Sequence, residues 1–165
     1  MSRKALVVID IQNDITKHYR DIIDNLNAAI DWAVERGMAV VYIRHNNLSA
    51  GTRTFKPGTK GEELVPELKV VSENVFVKTK ANALTSEAFS DFIRENGIDE
   101  FYITGADATG CVKSTCFNMA KAGFRVHVIS DCVTSYDPKK LPDMFKYYAD
   151  KGCEVRALAE YQSMA

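Results

Sequence analysis

Short apolar runs alternate with helical patterns along the whole chain, and this alternation constrains the fold more than any other feature. Four helical patterns each stop at a glycine, and a strand-like run begins almost at once after Gly37, Gly97, Gly123 and Gly152. A glycine after a helix adopts the left-handed conformation without a Cβ penalty. Apolar strands that alternate with helices are typical of a parallel sheet covered on both faces. The sequence therefore predicts an α/β fold with three layers, α/β/α.

Six runs of the chain are predicted to be strands. They are Ala5–Asp10, Met38–Ile43, Val75–Lys78, Glu100–Thr104, Arg125–Ser130 and Cys153–Leu158. Thr85 is predicted to cap the second helix, with Leu84 and Phe89 as its hydrophobic staple. The third helix is predicted over Cys111–Ala122. No internal repeat or linker divides the sequence, so we expect one domain over residues 1–165.

The bulk properties exclude several classes of protein. The net charge is −1, so no global field attracts nucleic acid or acidic membranes. No apolar run reaches the roughly 20 residues that a membrane span needs, and the amino-terminal segment lacks a signal peptide's long apolar region. We therefore expect a cytoplasmic protein. The four cysteines and three histidines show no metal-binding spacing, so we expect free thiols and neither a metal nor another cofactor.

Three reactive side chains fall at the carboxyl ends of predicted strands, where open parallel sheets bind their ligands. Asp10 closes the first strand, Lys78 closes the third, and Cys111 follows the fourth at a helix N-terminus. The helix N-terminus is expected to lower the pKa of the thiol. Asp10 would take the thiol proton, and Lys78 would hold Asp10 and offset its charge. These residue types together predict nucleophilic catalysis.

Each of the three also has a purely structural interpretation. Cysteine is among the most buried residue types, so Cys111 alone fits an inert helix start. Asp10 alone fits a loop acid, and Lys78 alone fits a solvated strand end. Lys78 would also lie two strands from Asp10, roughly 9–10 Å away at the usual strand spacing, so its side chain has to extend inward.

Five segments of the chain resemble the isochorismatase-like cysteine hydrolases, a superfamily that includes nicotinamidases, N-carbamoyl amide hydrolases and isochorismatases. The segments read LVVIDIQND, FKPGTKGEELVPEL, VFVKTKANAL, ITGADATGCVKST and RVHVISDCVTS. The resemblance covers essentially the whole chain, with the three motifs in order. It implies a six-stranded parallel sheet of order 3-2-1-4-5-6, with Asp10, Lys78 and Cys111 as catalytic residues.

The resemblance also implies the geometry of the turn before the cysteine. A non-proline cis peptide is expected at Ala106–Asp107, where it would turn the Asp107 amide toward the Cys111 amide to form an oxyanion hole. The side chain of Asp107 would either bind a cationic group or accept hydrogen bonds from nearby backbone. The family further implies a homodimer or a homotetramer.

The implied activity is cysteine-dependent hydrolysis of an amide-type C–N bond in a small molecule, through a thioester. The substrate-binding candidates are Gln12, Tyr19, His45, Phe55, Ala106 and Tyr136. Nicotinamidases carry an acid and two histidines after the second strand that bind a metal. Here the segment YIRHNNLSAGTRTF has one histidine, so that metal site is not expected and nicotinamide is a weaker candidate substrate.

Other functions stay open on the sequence alone. A vinyl-ether hydrolase of the isochorismatase type would need the acid but no thiol, and a non-catalytic binding protein would need neither. Cys132 ends the fifth strand on the same sheet edge as Cys111, which allows a redox pair, whereas Cys116 is expected to face the core. The long irregular region over residues 44–72 follows the second strand and is of the length that is usually functional or mobile.

Overall fold

The computed structural model describes residues 3–164 and contains a six-stranded parallel sheet of order β3-β2-β1-β4-β5-β6. The strands are β1 (Arg3–Ile9), β2 (Ala39–His45), β3 (Val75–Lys78), β4 (Ile98–Gly105), β5 (Arg125–Val133) and β6 (Glu154–Arg156). The α-helices are α1 (Ile23–Glu35), α2 (Glu87–Asn96), α3 (Cys111–Lys121), α4 (Leu141–Asp150) and α5 (Leu158–Ser163). The predicted fold class and strand order are both confirmed.

Helices cover both faces of the sheet, which explains why the strands are apolar without alternation. Every side chain from Ala5 to Ile9 in β1 is fully buried. On one face Leu6 and Val8 pack with residues of α1 and α5. On the other, Val7 and Ile9 pack with residues of α2, α3 and α4. The continuous apolar run is thus the signature of a strand that supplies two cores.

The helix ends follow the glycine pattern. Gly37, Gly97, Gly123 and Gly152 have φ values of 71, 62, 93 and 96°, in the left-handed region that the sequence predicted. The amide of Gly97 donates hydrogen bonds to the carbonyls of Arg94 and Ile93, which belong to the last helical turn. These turns let each helix lead back to the start of a new strand.

The predicted cap of α2 is wrong by one residue. Thr85 lies in a short 3-10 turn and donates its hydroxyl to the carbonyl of Asn82 (2.6 Å). Ser86 is the cap, and its hydroxyl accepts the amide of Phe89 (3.3 Å). Leu84 and Phe89 were predicted to form a hydrophobic staple around a cap at Thr85. With Ser86 as the cap, these two residues no longer hold the staple positions. Because the Thr85 hydroxyl is used within the preceding 3-10 turn, the helix begins one residue later than predicted.

The sixth strand is shorter than predicted, because part of its apolar pattern belongs to a helix. β6 ends at Arg156, and Leu158 begins α5, where its amide donates to the carboxylate of Asp131 (2.9 Å). Conversely, β5 continues past the predicted end at Ser130 as far as Val133. None of the helices over residues 3–164 combines the length and apolarity that crossing a membrane requires.

The strand order reverses at the centre of the sheet, between β1 and β4. β1 lies between β2 and β4, and its last residue, Ile9, is in register with Gly105. The chain leaves β1 at Asp10 and leaves β4 at Ala106, whose amide donates to the carbonyl of Ile9 (3.0 Å). Ligands of open α/β sheets bind at such a switch point.

Candidate active site

Lys78 is the centre of a buried polar cluster at the switch point. Its ammonium Nζ donates to Asp10 Oδ2 (3.1 Å), to Cys111 Sγ (3.1 Å) and to His45 Nδ1 (2.8 Å). The lysine side chain is 0% exposed. The residue is the last of β3 and is in register with His45 of β2. Its extended side chain reaches the end of β1, so the structure brings the three predicted reactive residues together across two strand spacings.

The backbone conformation of Asp10 sets the direction of its side chain. Its φ of 57° lies in the left-handed region, which aspartate tolerates better than most residues. The residue is 2% exposed. Burial raises the pKa of Asp10, while the Lys78 charge and a hydrogen bond with the Cys111 thiol oppose that rise. Oδ1 is buried and has no hydrogen-bond partner within residues 3–164, so this oxygen is available as a proton acceptor.

The pKa of Cys111 differs from the sequence-based expectation. Burial, and then the negative charge of Asp10, raise the pKa of the thiol to about 12, although Lys78 opposes both. Although α3 begins at Cys111 and its N-terminus was expected to lower this pKa, burial of the thiol raises it. The thiol rests protonated and needs a base to become a nucleophile.

The turn between β4 and α3 contains a cis peptide bond between Ala106 and Asp107, at the position that the family resemblance implied. Ala106 is fully buried. The amides of Asp107 and Cys111 donate none of the hydrogen bonds found within residues 3–164. Two backbone donors of this turn are therefore without an acceptor among residues 3–164.

A family model for the isochorismatase domain matches residues 4–160. The chain belongs to the isochorismatase family. It is 25% identical over 150 residues to the isochorismatase family protein YrdC of Bacillus subtilis, covering 87% of this chain and 80% of that protein. It is 23% identical over 211 residues to the nicotinamidase of Escherichia coli, covering 98% of each.

The same fold occurs in solved structures. An isochorismatase-like hydrolase from Alkaliphilus metalliredigens superposes with a TM-score of 0.88 at 20% identity, over 97% of both chains. The isochorismatase family consists of hydrolases, with nicotinamidases among the relatives of this chain. The predicted family and enzyme class are confirmed.

The carboxylate of Asp107 stabilises the turn, which answers the question that the sequence left open. Oδ1 accepts the amide and the hydroxyl of Thr109 (both 2.8 Å), and Oδ2 accepts the amide of Tyr136 (2.7 Å). The hydroxyl of Ser135 lies 3.1 and 3.2 Å from the two oxygens. The carboxylate thus ties the isochorismatase-family turn to the loop after β5 rather than facing a cationic ligand.

Phe55 also lies at the cluster. It has a φ of 55° and packs its ring edge-on against His45, with centroids 5.8 Å apart. Tyr136 is 59% exposed; the partial burial of its hydroxyl and the charges of Asp107, Asp14 and Asp10 raise its pKa. Phe55 therefore contacts the cluster through His45, and the substrate-binding role of both residues stays a prediction.

Gln12 and Tyr19 are placed differently. Gln12 is fully buried and its amide pairs with the backbone of His45, so it supports the site and offers no group to a substrate. Tyr19 donates its hydroxyl to Glu67 (2.8 Å) and packs among the residues on the α1 side of the sheet. The structure therefore does not bring Tyr19 to Lys78, and its predicted role is not supported by contacts.

Two contributors were missed by sequence reasoning. Asn47 accepts a hydrogen bond from the ring of His45 (2.8 Å), and Ser135 contacts Asp107. Nothing in the sequence marks Asn47. Ser135, however, follows β5 at the same sheet edge as Asp10. The expectation that site residues follow the carboxyl ends of strands could therefore have predicted it.

The other thiols do not take part. Cys132 is fully buried among the residues on the α1 side, whereas Cys111 packs with those on the α3 side. The proposed Cys111–Cys132 redox pair is therefore wrong, because the sheet separates the two side chains. Cys116 faces the core as predicted, and all four cysteines are free thiols.

A metal ion does not fit this cluster. Ligand atoms of Asp10, His45 and Cys111 lie within 4.8 Å of one another, which is the spacing of a metal site. The Lys78 ammonium, however, already lies within 3.1 Å of a ligand atom from each of them. A metal ion there would displace the lysine or meet its charge at contact distance. The loop after β2, residues 46–74, also contains no histidine, because His45 is the last residue of the strand.

Proposed function

We propose that this protein hydrolyses an amide-type C–N bond of a small molecule through a thioester on Cys111. The observation that carries the proposal is the position of the Lys78 ammonium, which is 3.1 Å from both the Asp10 carboxylate and the Cys111 thiol. A base, a nucleophile and a fixed positive charge in contact are the groups that acyl transfer needs. Similarity to a nicotinamidase, an amide hydrolase by name, supports the same class.

The reaction begins with proton transfer from the Cys111 thiol to Asp10 as Sγ attacks the substrate carbonyl carbon. The carbonyl oxygen becomes an oxyanion, and the amides of Asp107 and Cys111 are its proposed donors. When the C–N bond breaks, protonated Asp10 gives its proton to the leaving nitrogen. Water then attacks the thioester with Asp10 again as base, which releases a carboxylic acid and restores the thiol.

The electrostatics of the cluster suit this sequence of proton transfers. Burial raises the pKa of Asp10 above that of an ordinary aspartate, which makes its carboxylate a stronger base. The pKa of Cys111 is raised to about 12, so the thiol keeps its proton until a substrate arrives. Lys78 stays in contact with both groups while the negative charge moves between them. The fixed ammonium therefore stabilises the charge before and after transfer.

Mass spectrometry of the intact protein tests the proposal. The protein is mixed with a panel of small amides and N-carbamoyl compounds and quenched in acid within milliseconds to seconds. An adduct of the acyl mass on Cys111 is expected for at least one compound. A vinyl ether of the isochorismate type is included, and its turnover without any adduct would favour that alternative. Absence of turnover and adducts across a broad panel would favour a non-catalytic binding protein.

Replacing Asp107 by alanine is expected to lower kcat about tenfold to a hundredfold. The substitution removes the contacts that hold the turn to Thr109 and Tyr136, so the Asp107 amide is no longer fixed. Loss of a whole oxyanion donor costs about a hundredfold to a thousandfold, and a misplaced donor costs less. Steady-state kinetics on the best amide of the panel measure the change.

The matched control is Asp137→Ala, in the loop after β5 to which the Asp107 carboxylate binds. Asp137 is exposed, and its carboxylate accepts only the amide of Lys139 (3.2 Å) within residues 3–164. Iodoacetamide labelling of Cys111 is expected to keep its rate in Asp107→Ala, because alkylation forms no oxyanion. Equal turnover of Asp107→Ala and Asp137→Ala would refute the role of the turn.

The oligomeric state, the cytoplasmic location and the single domain over residues 1–165 stay predictions. Family resemblance suggests a homodimer or homotetramer, and the small-molecule substrate agrees with a nicotinamidase relative.

A further inference from the structure

We propose that His45 is a positioning residue that fixes the Lys78 ammonium through its Nδ1 atom, rather than a substrate ligand. This inference rests on the proposed function, since it assigns His45 to the same acyl-transfer site. The distance from Lys78 Nζ to His45 Nδ1 is 2.8 Å, the shortest of the three contacts that Nζ makes in the cluster.

The ammonium of Lys78 has a fixed number of donors and no access to water. An ammonium carries three N–H groups and no acceptor. The three acceptors in contact are Asp10 Oδ2, Cys111 Sγ and His45 Nδ1, which match that number. Because the lysine side chain is 0% exposed, solvent does not replace a lost acceptor. The orientation of the head group therefore depends on His45 as much as on the two reacting residues.

The ring of His45 has one protonation state that fits its contacts. Nδ1 accepts from Lys78, so the ring proton lies on Nε2, which donates to Asn47 Oδ1 (2.8 Å). Burial and the Lys78 charge lower the pKa of His45, which keeps the ring neutral and Nδ1 available. Both ring nitrogens are thus occupied within the protein, and neither is free for a substrate.

The backbone of His45 is itself fixed by Gln12. Gln12 Oε1 accepts the amide of His45 (2.8 Å), and its Nε2 donates to the carbonyl of His45 (2.9 Å). The ring edge of Phe55 packs on the imidazole. A path of direct contacts therefore leads from Gln12 through His45 to Lys78, and the buried glutamine of the first motif acts on the site without touching substrate.

Two substitutions of His45 separate the two ring nitrogens. In His45→Asn the amide oxygen lies near the former Nδ1 and can still accept from Lys78. In His45→Gln the amide reaches the former Nε2 position, next to Asn47. We expect His45→Asn to keep kcat within about threefold of wild type. We expect His45→Gln to lose about tenfold to a hundredfold, because one donor of a buried charge is left unpaired. KM is expected to stay within about threefold in both.

The control and a second readout separate this inference from the proposed function. His18→Asn serves as the control, since His18 lies in a short turn and pairs with exposed Asp21. The rate of Cys111 alkylation by iodoacetamide is measured on every variant, along with thermal unfolding. This rate needs no amide substrate. The same order is expected, with His45→Asn near wild type and His45→Gln slower, because the thiol loses its oriented donor.

Each outcome has a defined meaning. If wild type hydrolyses no amide but alkylation follows the expected order, the role of His45 stands and the proposed function falls. If wild type hydrolyses amides but the two His45 variants behave alike in both assays at equal stability, the role of Nδ1 is refuted. If the His45 variants raise KM and leave kcat unchanged, His45 binds substrate and the inference is also refuted.

Discussion

Replacing Cys111 by serine is expected to lower kcat for amide hydrolysis by about a thousandfold or more. The change replaces one sulfur atom by oxygen and leaves the donor from Lys78 in place. A serine hydroxyl is far less acidic than a thiol. Serine nucleophiles are usually activated by a histidine, and the carboxylate of Asp10 is not an equivalent base. Loss of a nucleophile that acts together with its base typically removes most of the catalysis. Steady-state turnover of the best amide measures the effect.

Cys132→Ala is the control for the loss of a thiol. Cys132 is fully buried on the other face of the sheet, so its loss is expected to lower stability but not turnover per folded molecule. The acyl adduct at residue 111 should also disappear in Cys111→Ser during the panel experiment. If Cys111→Ser kept full turnover, the thiol would not be the nucleophile, and chemistry led by Asp10 alone, as in vinyl-ether hydrolysis, would become the better explanation.

The positions of the reacting residues were predictable from the order of the chain. Asp10 follows β1, Lys78 ends β3 and Cys111 follows β4. The carboxyl ends of parallel strands meet at one edge of a sheet, so residues far apart in the sequence converge there. Apolar periodicity and glycine positions were enough to place the strand ends to within a few residues.

The contacts within the site were not predictable in the same way. The contact of His45 with Lys78 joins residues 33 apart in the sequence, and that of Asp107 with Ser135 joins residues 28 apart. Each depends on how far a side chain extends across a strand or a turn, which residue patterns do not encode. The reach of Lys78 to Asp10, across two strands, is of the same kind.

The pKa of Cys111 illustrates why local rules fail at such a site. The helix N-terminus is visible in the sequence and argues for a lowered pKa. Burial and the charge of Asp10 arise only from the tertiary structure, and they raise the pKa to about 12. A thiol at a helix start is therefore activated or silent depending on its surroundings. In the proposed mechanism, the activation of Cys111 is the task of Asp10.

Gly105→Ala is expected to have the largest effect on stability. Gly105 has a φ of 114° and lies opposite Ile9, immediately before the cis peptide turn. A Cβ atom there would lie 2.6 Å from the nitrogen and 2.9 Å from the carbonyl carbon of Ile9, and would also collide with its carbonyl oxygen. All three atoms belong to the backbone of β1, which does not move away without breaking its pairing with β4. We expect the free energy of unfolding to fall by at least about 4 kcal/mol.

Gly123→Ala separates this collision from the cost of the backbone conformation alone. Gly123 has a φ of 93°, but a Cβ atom added there would meet no other atom within 4 Å, so only the left-handed conformation is penalised, by about 1–2 kcal/mol. At about 2–4 °C per kcal/mol for a chain of this size, the two variants should differ in Tm by roughly 5–10 °C. Thermal unfolding followed by circular dichroism measures both. Equal decreases in Tm for the two variants would mean that β1 and β4 separate easily at Gly105. The switch point would then not be rigid enough to hold Asp10 in contact with Cys111.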